Sequence, residues 1–255
     1  MIIKKDSITG ISYEILGNEK SINTLLFIHG AGGNKMALKA LANQFIEYKC
    51  VLVDLPGHYL SDGDIPTNVE GYAAVLGQFL QSRRHEMGDN ITCIGHSLGG
   101  MISLELAIQR FPQIEKLVIL NSGAKMEFDQ KFMKKIRNGK TDKLFLFKAG
   151  GSYFNFRTYQ FFLQSFKQMI ASDKVMQADF KIAEQFDRRE AVKKINLPTL
   201  IATGEKEILA TTEVARYLHA QIPNSRLLIL KGLSHLMPVI APELLARKIK
   251  TFLEG

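Results

Sequence analysis

The sequence predicts an α/β fold in which a mostly parallel, twisted sheet is flanked by helices and carries a helical insertion. Six short runs of branched apolar residues are bounded by turn formers and separated by longer amphipathic stretches. These runs are almost continuously apolar, which is typical of parallel strands covered on both faces. The alternation stops between residues 122 and 190, a stretch too long to be a loop.

The predicted strands are 24–28, 50–53, 91–94, 117–120, 199–202 and 226–230, after a small antiparallel hairpin formed by 2–8 and 11–16. The predicted helices are 35–47, 68–87, 98–110, 211–221 and 241–253. Asn68 and Thr212 are predicted as N-caps, and Pro242 suits a first helical turn because its φ is already helical. Alternation of strands and helices in this order builds a parallel sheet.

This pattern divides the chain into a core of residues 1–121 and 191–255 and a helical cap insertion of residues 122–190. The insertion holds 13 of the 23 aromatic residues, most densely between Phe145 and Phe166. They form either the insertion's own core or an apolar lining for a substrate pocket, and the sequence leaves both interpretations open.

Composition excludes several classes of protein. Of 255 residues, 46% are hydrophobic and 23% are charged, as in ordinary globular chains. The two cysteines, Cys50 and Cys93, form no Cys-x-x-Cys pair, which argues against a disulfide scaffold and a thiolate zinc site, so both are predicted as core residues. No apolar run approaches the ~18 residues of a membrane span, and the N-terminus lacks a signal peptide's apolar stretch. The sequence therefore predicts a cytoplasmic protein with no stable membrane insertion.

The net charge of +8 raises the question of a nucleic-acid partner. Residues 122–190 hold 14 Lys and Arg against 8 Asp and Glu, and so supply +6 of that charge. No zinc-finger spacing, aromatic RNA-binding signature or basic heptad accompanies the excess. We therefore predict no nucleic-acid binding. The basic excess indicates either a solvated face or attraction of an anionic substrate or carrier.

The strongest chemical signal is the motif Gly95-His96-Ser97-Leu98-Gly99-Gly100. It matches G-x-S-x-G and lies between a predicted strand and a predicted helix. A serine on such a tight turn is held above the carboxyl edge of the sheet, and its glycines let neighbouring backbone approach. The helix that follows offers N–H groups to developing negative charge. The alternative is a glycine-rich turn with an incidental serine.

A second motif, His29-Gly30-Ala31-Gly32-Gly33, follows a buried strand directly. A glycine turn at this position can direct a backbone N–H at a carbonyl oxygen. The alternatives are a plain strand-to-helix turn and a phosphate loop. The phosphate interpretation is weak because the chain has neither G-x-x-x-x-G-K-[ST] nor a dinucleotide fingerprint.

Four motifs in order give the chain its resemblance to the α/β-hydrolase superfamily of esterases, lipases, thioesterases and C–C bond hydrolases. Two are described above, and the others are Asp54-Leu55-Pro56-Gly57-His58 and Gly232-Leu233-Ser234-His235. The resemblance covers about residues 11–253, with 122–190 in the place of the family's cap. Its motifs are specific for the fold and poorly specific for the substrate.

The resemblance implies a Ser-His-acid triad. Ser97 would be the nucleophile, His235 its general base and then the acid for the leaving group, and Glu207 the residue that orients the imidazole. Glu207 occupies the usual Asp position in Gly204-Glu205-Lys206-Glu207. Glu205 is the alternative acid, and a solvated Glu-Lys-Glu run is the third interpretation. Asn121, where some relatives carry the acid, cannot serve as an anion.

The resemblance further implies that the backbone N–H groups of Ala31 and Leu98 form the oxyanion hole. Gly30, Tyr59 and His96 are the candidate substrate-binding residues. Tyr59 replaces a family glycine and is expected to reshape its loop or reach toward the pocket mouth. The acyl-enzyme route requires no metal and no cofactor, and the sequence shows no cluster of metal ligands.

The remaining histidines are predicted to serve other purposes. His29 and His58 lie in loops and are expected to brace backbone. His85 and His219 fall in predicted helices and are expected at the surface. The side chain of His96 is expected to point away from its neighbour, the nucleophile.

The sequence leaves three functions open. The first is a serine hydrolase of a small-molecule carboxylic ester or thioester with an apolar acyl or aryl group. The second is a C–C bond hydrolase or lyase acting on an acidic small molecule. The third is a non-catalytic small-molecule binder on the same fold. The sequence gives no indication of the oligomeric state.

Overall fold

An eight-stranded sheet runs through the part of the chain that the computed structural model describes, residues 3–138 and 172–255. Its spatial order is β1-β2-β4-β3-β5-β6-β7-β8. The strands are β1 (Ile3–Lys5), β2 (Ser12–Gly17), β3 (Asn23–Ile28), β4 (Lys49–Val53), β5 (Asn90–His96), β6 (Ile114–Leu120), β7 (Thr199–Gly204) and β8 (Ser225–Leu230). β2 pairs antiparallel with β1 and β4, and every other pair is parallel. The predicted mostly parallel sheet is confirmed.

Both faces of the sheet are covered, which explains the continuous apolar runs. Successive side chains of a strand point to opposite faces. In β3, Leu26 packs into one hydrophobic cluster and Leu25 into the other. The cysteines are buried on β4 and β5, as predicted, and burial raises the pKa of each thiol to about 12.

The helices lie on the two faces of this sheet. The described helices are α1 (Met36–Ala42), α2 (Val69–Ser82), α3 (Arg84–Met87), α4 (Leu98–Ile108), α5 (Gln130–Arg137), α6 (Asp173–Gln185), α7 (Thr212–Gln221), α8 (Met237–Ile240) and α9 (Pro242–Glu254). α2 and α4 bury their apolar residues in the cluster that contains Leu26. α1 and α9 bury theirs in the cluster on the opposite face. Among the described residues, no helix is both long and apolar enough to cross a membrane.

Helix ends test the predicted caps. The side chain of Asn68 accepts a hydrogen bond from the N–H of Gly71 at 2.8 Å, so this N-cap is confirmed. Pro242 is the first residue of α9, as predicted. The prediction for Thr212 was wrong by one position, because Thr211 precedes α7 and Thr212 is its first helical residue.

The predicted helix 68–87 is two helices, since α2 ends at Ser82 and α3 begins at Arg84. The break coincides with a contact that is distant in sequence. The hydroxyl of Ser82 and Nε of Arg83 both donate to Oδ1 of the buried Asp6, at 3.0 and 2.7 Å. A tertiary contact of this kind overrides the local pattern that suggested one helix.

The predicted insertion 122–190 contributes two described helices, α5 and α6. Its two ends lie side by side, because Lys125 and Asp187 form an antiparallel bridge and the N–H of Arg188 donates to the carbonyl of Ala124 at 2.8 Å. The ring of Phe180 on α6 lies 5.0 Å from that of Phe132 on α5. The aromatic-rich stretch 145–166 is outside the described residues.

Candidate active site

Ser97 lies on the turn between β5 and α4. Its backbone has φ 54° and ψ −118°, a region that residues with a side chain rarely occupy. Its N–H donates to the carbonyl of Leu120 at 2.9 Å, which ties the turn to the end of β6. Strained backbone of this kind persists where the surrounding structure fixes it, often at functional sites.

The glycines beside Ser97 are required by space. A Cβ on Gly99 would lie 2.1 Å from the carbonyl oxygen of Ile28 at the end of β3. A Cβ on Gly95 would lie 2.3 Å from the carbonyl oxygen of Gly99. The turn therefore packs backbone against backbone, and this close packing holds Ser97 beside the loop that follows β3.

His235 and Glu207 form a hydrogen-bonded pair. Glu207 follows β7, His235 follows β8, and Nδ1 of the histidine lies 2.8 Å from Oε2 of the glutamate. The other glutamate oxygen accepts the N–H groups of Leu209 at 2.7 Å and Ala210 at 3.3 Å. Both side chains are buried. Because a carboxylate only accepts, Nδ1 carries the proton of this hydrogen bond, and in the corresponding neutral tautomer Nε2 is left as an acceptor.

Glu205, the alternative acid, is directed elsewhere. Its Oε2 accepts a hydrogen bond from the N–H of Gly232 at 2.9 Å, in an exposed position. The structure therefore brings Glu207, and not Glu205, to His235.

Asn121 links the end of β6 to the segment that holds His235. Its Nδ2 donates to the carbonyls of Ser234 at 3.0 Å and His235 at 2.9 Å, and its Oδ1 accepts the N–H of Gly204 at 3.0 Å. Sequence reasoning considered this residue only as a missing acid and overlooked the bracing role. Its position directly after a predicted strand was the available signal.

His96 lies against His235. Its Nε2 lies 2.8 Å from the backbone carbonyl of His235, and the two ring centroids are 4.8 Å apart. The expectation that this side chain points away was wrong, since the ring lines the same cavity as Ser97. Burial, together with nearby His235, lowers the pKa of His96 to about 3, so the ring is neutral near pH 7.

The loop His29–Gly33 is held by its own backbone and by His29. Nδ1 of His29 lies 2.9 Å from the Gly30 carbonyl, which also accepts the N–H of Gly33 at 3.0 Å. Nε2 of His29 accepts the N–H of Leu55 at 3.0 Å. In a trans peptide the N–H points opposite to the carbonyl. The Ala31 N–H is therefore directed away from the groups that hold the Gly30 carbonyl.

Leu98 is the first residue of α4. N–H groups in the first turn of a helix have no partner within the helix, and the helix dipole places partial positive charge there. The Leu98 N–H is thus available beside Ser97.

A cavity of about 90 Å³ brings these groups together. Its polar lining comes from Ser97, His235 and His96, next to Gly30 and Ala31. The rest of its described lining is mainly apolar and consists of Gly32, Gly33, Ala37, Met176, Phe180, Leu209, Leu236 and Val239. Ser97 and His235 therefore share one small cavity with a mainly apolar wall, and α6 supplies part of that wall.

Tyr59 is not among the described residues that line this cavity. Its side chain is 59% exposed, and its ring lies 5.1 Å from Nζ of Lys35. Its φ of 45° keeps the left-handed backbone that the glycine of the family motif adopts easily.

The other histidines lie where they were predicted. His58, like His29, braces backbone, with Nδ1 3.0 Å from the Pro56 carbonyl. His85 and His219 are exposed on α3 and α7. Across residues 3–138 and 172–255, no three His, Cys, Asp or Glu side chains come together in an arrangement that could hold a metal ion.

The model of the alpha/beta hydrolase family matches residues 25–248 of this sequence. The chain belongs to the alpha/beta hydrolase family. A solved structure of a lipase-esterase related protein from Clostridium acetobutylicum superposes on this alpha/beta hydrolase with a TM-score of 0.88 and 31% identity, covering 95% of this chain and 99% of the other. The enol-lactonase from Burkholderia xenovorans has the same TM-score at 16% identity, over 99% and 100% of the two chains, which shows the shared fold.

Named relatives of this alpha/beta hydrolase include enzymes of ester hydrolysis. Lipase 1 of Psychrobacter immobilis is 25% identical over 89% of this chain and 76% of its own length. The pimeloyl-[acyl-carrier protein] methyl ester esterase of Neisseria meningitidis serogroup A is 22% identical over 92% and 78%.

Proposed function

We propose that this alpha/beta hydrolase cleaves a carboxylic ester through an acyl-enzyme on Ser97. The observation that carries the proposal is the 2.8 Å pair of Glu207 and His235, with His235 and Ser97 lining one cavity. Relatives named lipase and methyl ester esterase support an ester as the bond that is cleaved. Thioesters follow the same chemistry and belong to the substrate classes to be tested.

The reaction would run in two halves. Oγ of Ser97 attacks the carbonyl carbon while Nε2 of His235 takes its proton, and Glu207 stabilises the imidazolium. The carbon–oxygen bond to the leaving group then breaks, and the alcohol departs with that proton. Water attacks the acyl carbon while Nε2 of His235 takes its proton. The bond between that carbon and Oγ of Ser97 then breaks and the proton passes from His235 to Oγ, so the acid leaves and the serine is restored.

Ala31 and Leu98 are the proposed oxyanion donors. Their N–H groups would stabilise the negative charge of each tetrahedral intermediate. Removing one such donor typically lowers kcat about 10²- to 10³-fold. The fixed peptide of Gly30 and the start of α4 support this assignment, because the loop and the helix fix the directions of both N–H groups before substrate binds.

The lining of the cavity supports an apolar acyl or aryl group. Met176 and Phe180 come from the proposed insertion 122–190, and Leu209 comes from the proposed core. Gly30 and His96 are the proposed substrate contacts, whereas Tyr59 lies outside the described lining.

Labelling with a fluorophosphonate tests the mechanism. We expect one adduct on Ser97 by peptide mapping, none after prior denaturation, and none in Ser97→Ala. Turnover of p-nitrophenyl esters is expected to fall at least ~10⁴-fold in Ser97→Ala. Ser7→Ala, at an exposed serine between β1 and β2, is the matched control and should behave like wild type.

The same experiment separates the alternatives. Ester turnover that survives in Ser97→Ala would refute the mechanism. A folded protein that binds small molecules but neither labels nor turns over esters would be a binder. Activity on a vinylogous keto acid with poor ester turnover would indicate the C–C bond reaction. A panel of esters and thioesters of increasing chain length then defines the acyl group.

A further inference from the structure

Helix α6 carries a buried carboxylate that the proposed mechanism does not use. Asp179 is 0% exposed. Its Oδ2 accepts the backbone N–H of Gly32 at 2.7 Å and lies 2.8 Å from Nε2 of His58. Its Oδ1 accepts the hydroxyl of Tyr72 at 2.6 Å. One side chain of the proposed insertion is thus bonded to three separate segments of the proposed core.

His58 has an acceptor at each ring nitrogen. Nδ1 lies 3.0 Å from the Pro56 carbonyl, and Nε2 lies 2.8 Å from Asp179. Neither partner has a proton to give if Asp179 is ionised, so both nitrogens carry protons and the ring is a cation. Burial lowers the pKa of His58, but the hydrogen bond and charge of Asp179 outweigh burial and raise it. With the carboxyl ionised, Asp179 and His58 therefore form a buried ion pair, with Nε2 of His58 2.8 Å from Oδ2.

Gly32, whose N–H donates to Asp179, belongs to the loop of the proposed oxyanion hole. Gly32 has φ 61°, and a Cβ there would lie 2.7 Å from the sulfur of Met176, so α6 packs directly on it. Its N–H, bound by Asp179, fixes the peptide group that follows Ala31. The carbonyl of Gly30 is fixed within the loop and sets the peptide group that precedes Ala31. Ala31 therefore lies between two immobilised peptide groups.

We propose that Asp179 is a positioning residue for the oxyanion hole. It would hold the Gly32 peptide so that the Ala31 N–H is aimed at the developing oxyanion, with His58, which shares the same carboxylate oxygen as Gly32, fixing that oxygen in turn. The inference rests on the proposed ester hydrolysis and adds to it a residue from α6 that touches neither substrate nor Ser97. An N–H that is displaced loses part of its effect on the transition state and little of its effect on substrate binding.

The test is Asp179→Asn, in which an amide replaces the anion. We expect kcat to fall about 10- to 100-fold, less than for deletion of an oxyanion donor, with KM changed less than about threefold. A trifluoromethyl ketone, whose adduct on Ser97 carries an oxyanion, should bind more weakly by a similar factor. Asp173→Asn, the same change at an exposed position of α6, should leave all three quantities unchanged.

Tyr72→Phe distinguishes positioning from loss of stability. It removes one hydrogen bond to Asp179 and leaves the Gly32 contact, so a lower Tm with kcat within about threefold is expected. An equal loss of kcat in Tyr72→Phe and Asp179→Asn, or a normal kcat in Asp179→Asn, would overturn the positioning role and leave serine hydrolysis standing. Wild-type protein without Ser97-dependent turnover would overturn both.

Asp179→Glu covers the case in which the asparagine variant does not fold. It keeps the charge for His58 but moves the carboxylate by one methylene relative to the Gly32 N–H. The same selective loss of kcat is expected. A wild-type kcat in this variant would count against a geometric role for Asp179.

Discussion

Replacing Glu207 with glutamine tests the proposed triad at the hydrogen bond between Glu207 and His235. In the wild type, one carboxylate oxygen accepts two backbone N–H groups, from Leu209 and Ala210, and the other accepts Nδ1–H of His235. A glutamine amide has one oxygen and one NH₂. Because only the oxygen can accept from the two N–H groups, the NH₂ must face His235.

That orientation of the glutamine amide reverses the tautomer of His235. An NH₂ group donates, so Nδ1 of His235 must become the acceptor and Nε2 must carry the proton. Nε2 can then no longer take the proton of Ser97. The same inversion of tautomer in a Ser-His-Asp protease costs about 10⁴ in kcat. We expect a loss of about 10³- to 10⁴-fold in Glu207→Gln, or roughly 4–5.5 kcal/mol of transition-state stabilisation.

The assay is steady-state hydrolysis of a p-nitrophenyl ester, with fluorophosphonate labelling rates in parallel. Glu205→Gln is the matched control, because Glu205 contacts Gly232 and not His235. It should retain activity within about twofold. If Glu207→Gln were as active as wild type, or if Glu205→Gln lost as much, the assignment of the acid from this geometry would be refuted.

Three further predictions concern stability. Burial and the positive charge of His58 lower the pKa of His29 to about 3, so the native state resists its protonation and loses stability as pH falls below ~6.5. In His29→Gln the difference in unfolding free energy between pH 7 and pH 5, from urea titration, should shrink by about 2 kcal/mol; an unchanged difference would contradict this. Lys35→Met removes the cation that pairs with the buried Asp54, so the free energy of unfolding from urea titration should fall by about 3–5 kcal/mol. Lys5→Met breaks the exposed pair with Asp62 and should lower the free energy of unfolding by less than ~1 kcal/mol. An equal loss in the two variants would count against a larger effect of the buried pair. Gly99→Ala, with a Cβ 2.1 Å from a carbonyl of β3, should lower Tm by more than 10 °C in a thermal melt, and a native-like Tm would be incompatible with this packing.

The fold was predictable because its strands are covered on both faces. Continuous apolar runs such as 50–53 are a strong signal, and each predicted parallel strand is present. Helix ends were less predictable. Asn68 caps α2 through a local contact three residues away, and this was predicted correctly. The end of α2 involves Asp6, 76 residues distant from Ser82, and no local pattern contains that information.

The candidate site was partly predictable for a topological reason. Ser97, Glu207 and His235 each follow a parallel strand, and the carboxyl ends of such strands meet at one edge of the sheet. Choosing between Glu205 and Glu207 was beyond this argument, because both lie in the same turn. The choice depends on the backbone N–H groups of Leu209 and Ala210, which turn Glu207 inward.

Asp179 belongs to none of the four motifs, but it had a signal in the sequence. Met176, Asp179, Phe180 and Ala183 are spaced three and four residues apart, so they share one face of α6, and all four are buried. A carboxylate on an otherwise apolar helical face is costly unless it is paired and hydrogen-bonded. Its presence therefore requires partners elsewhere in the chain, although nothing local says which. The structure supplies them 147, 121 and 107 residues away, at Gly32, His58 and Tyr72. A polar residue inside an apolar helical stripe thus predicts a buried network, and here that network leads to the loop beside the proposed nucleophile.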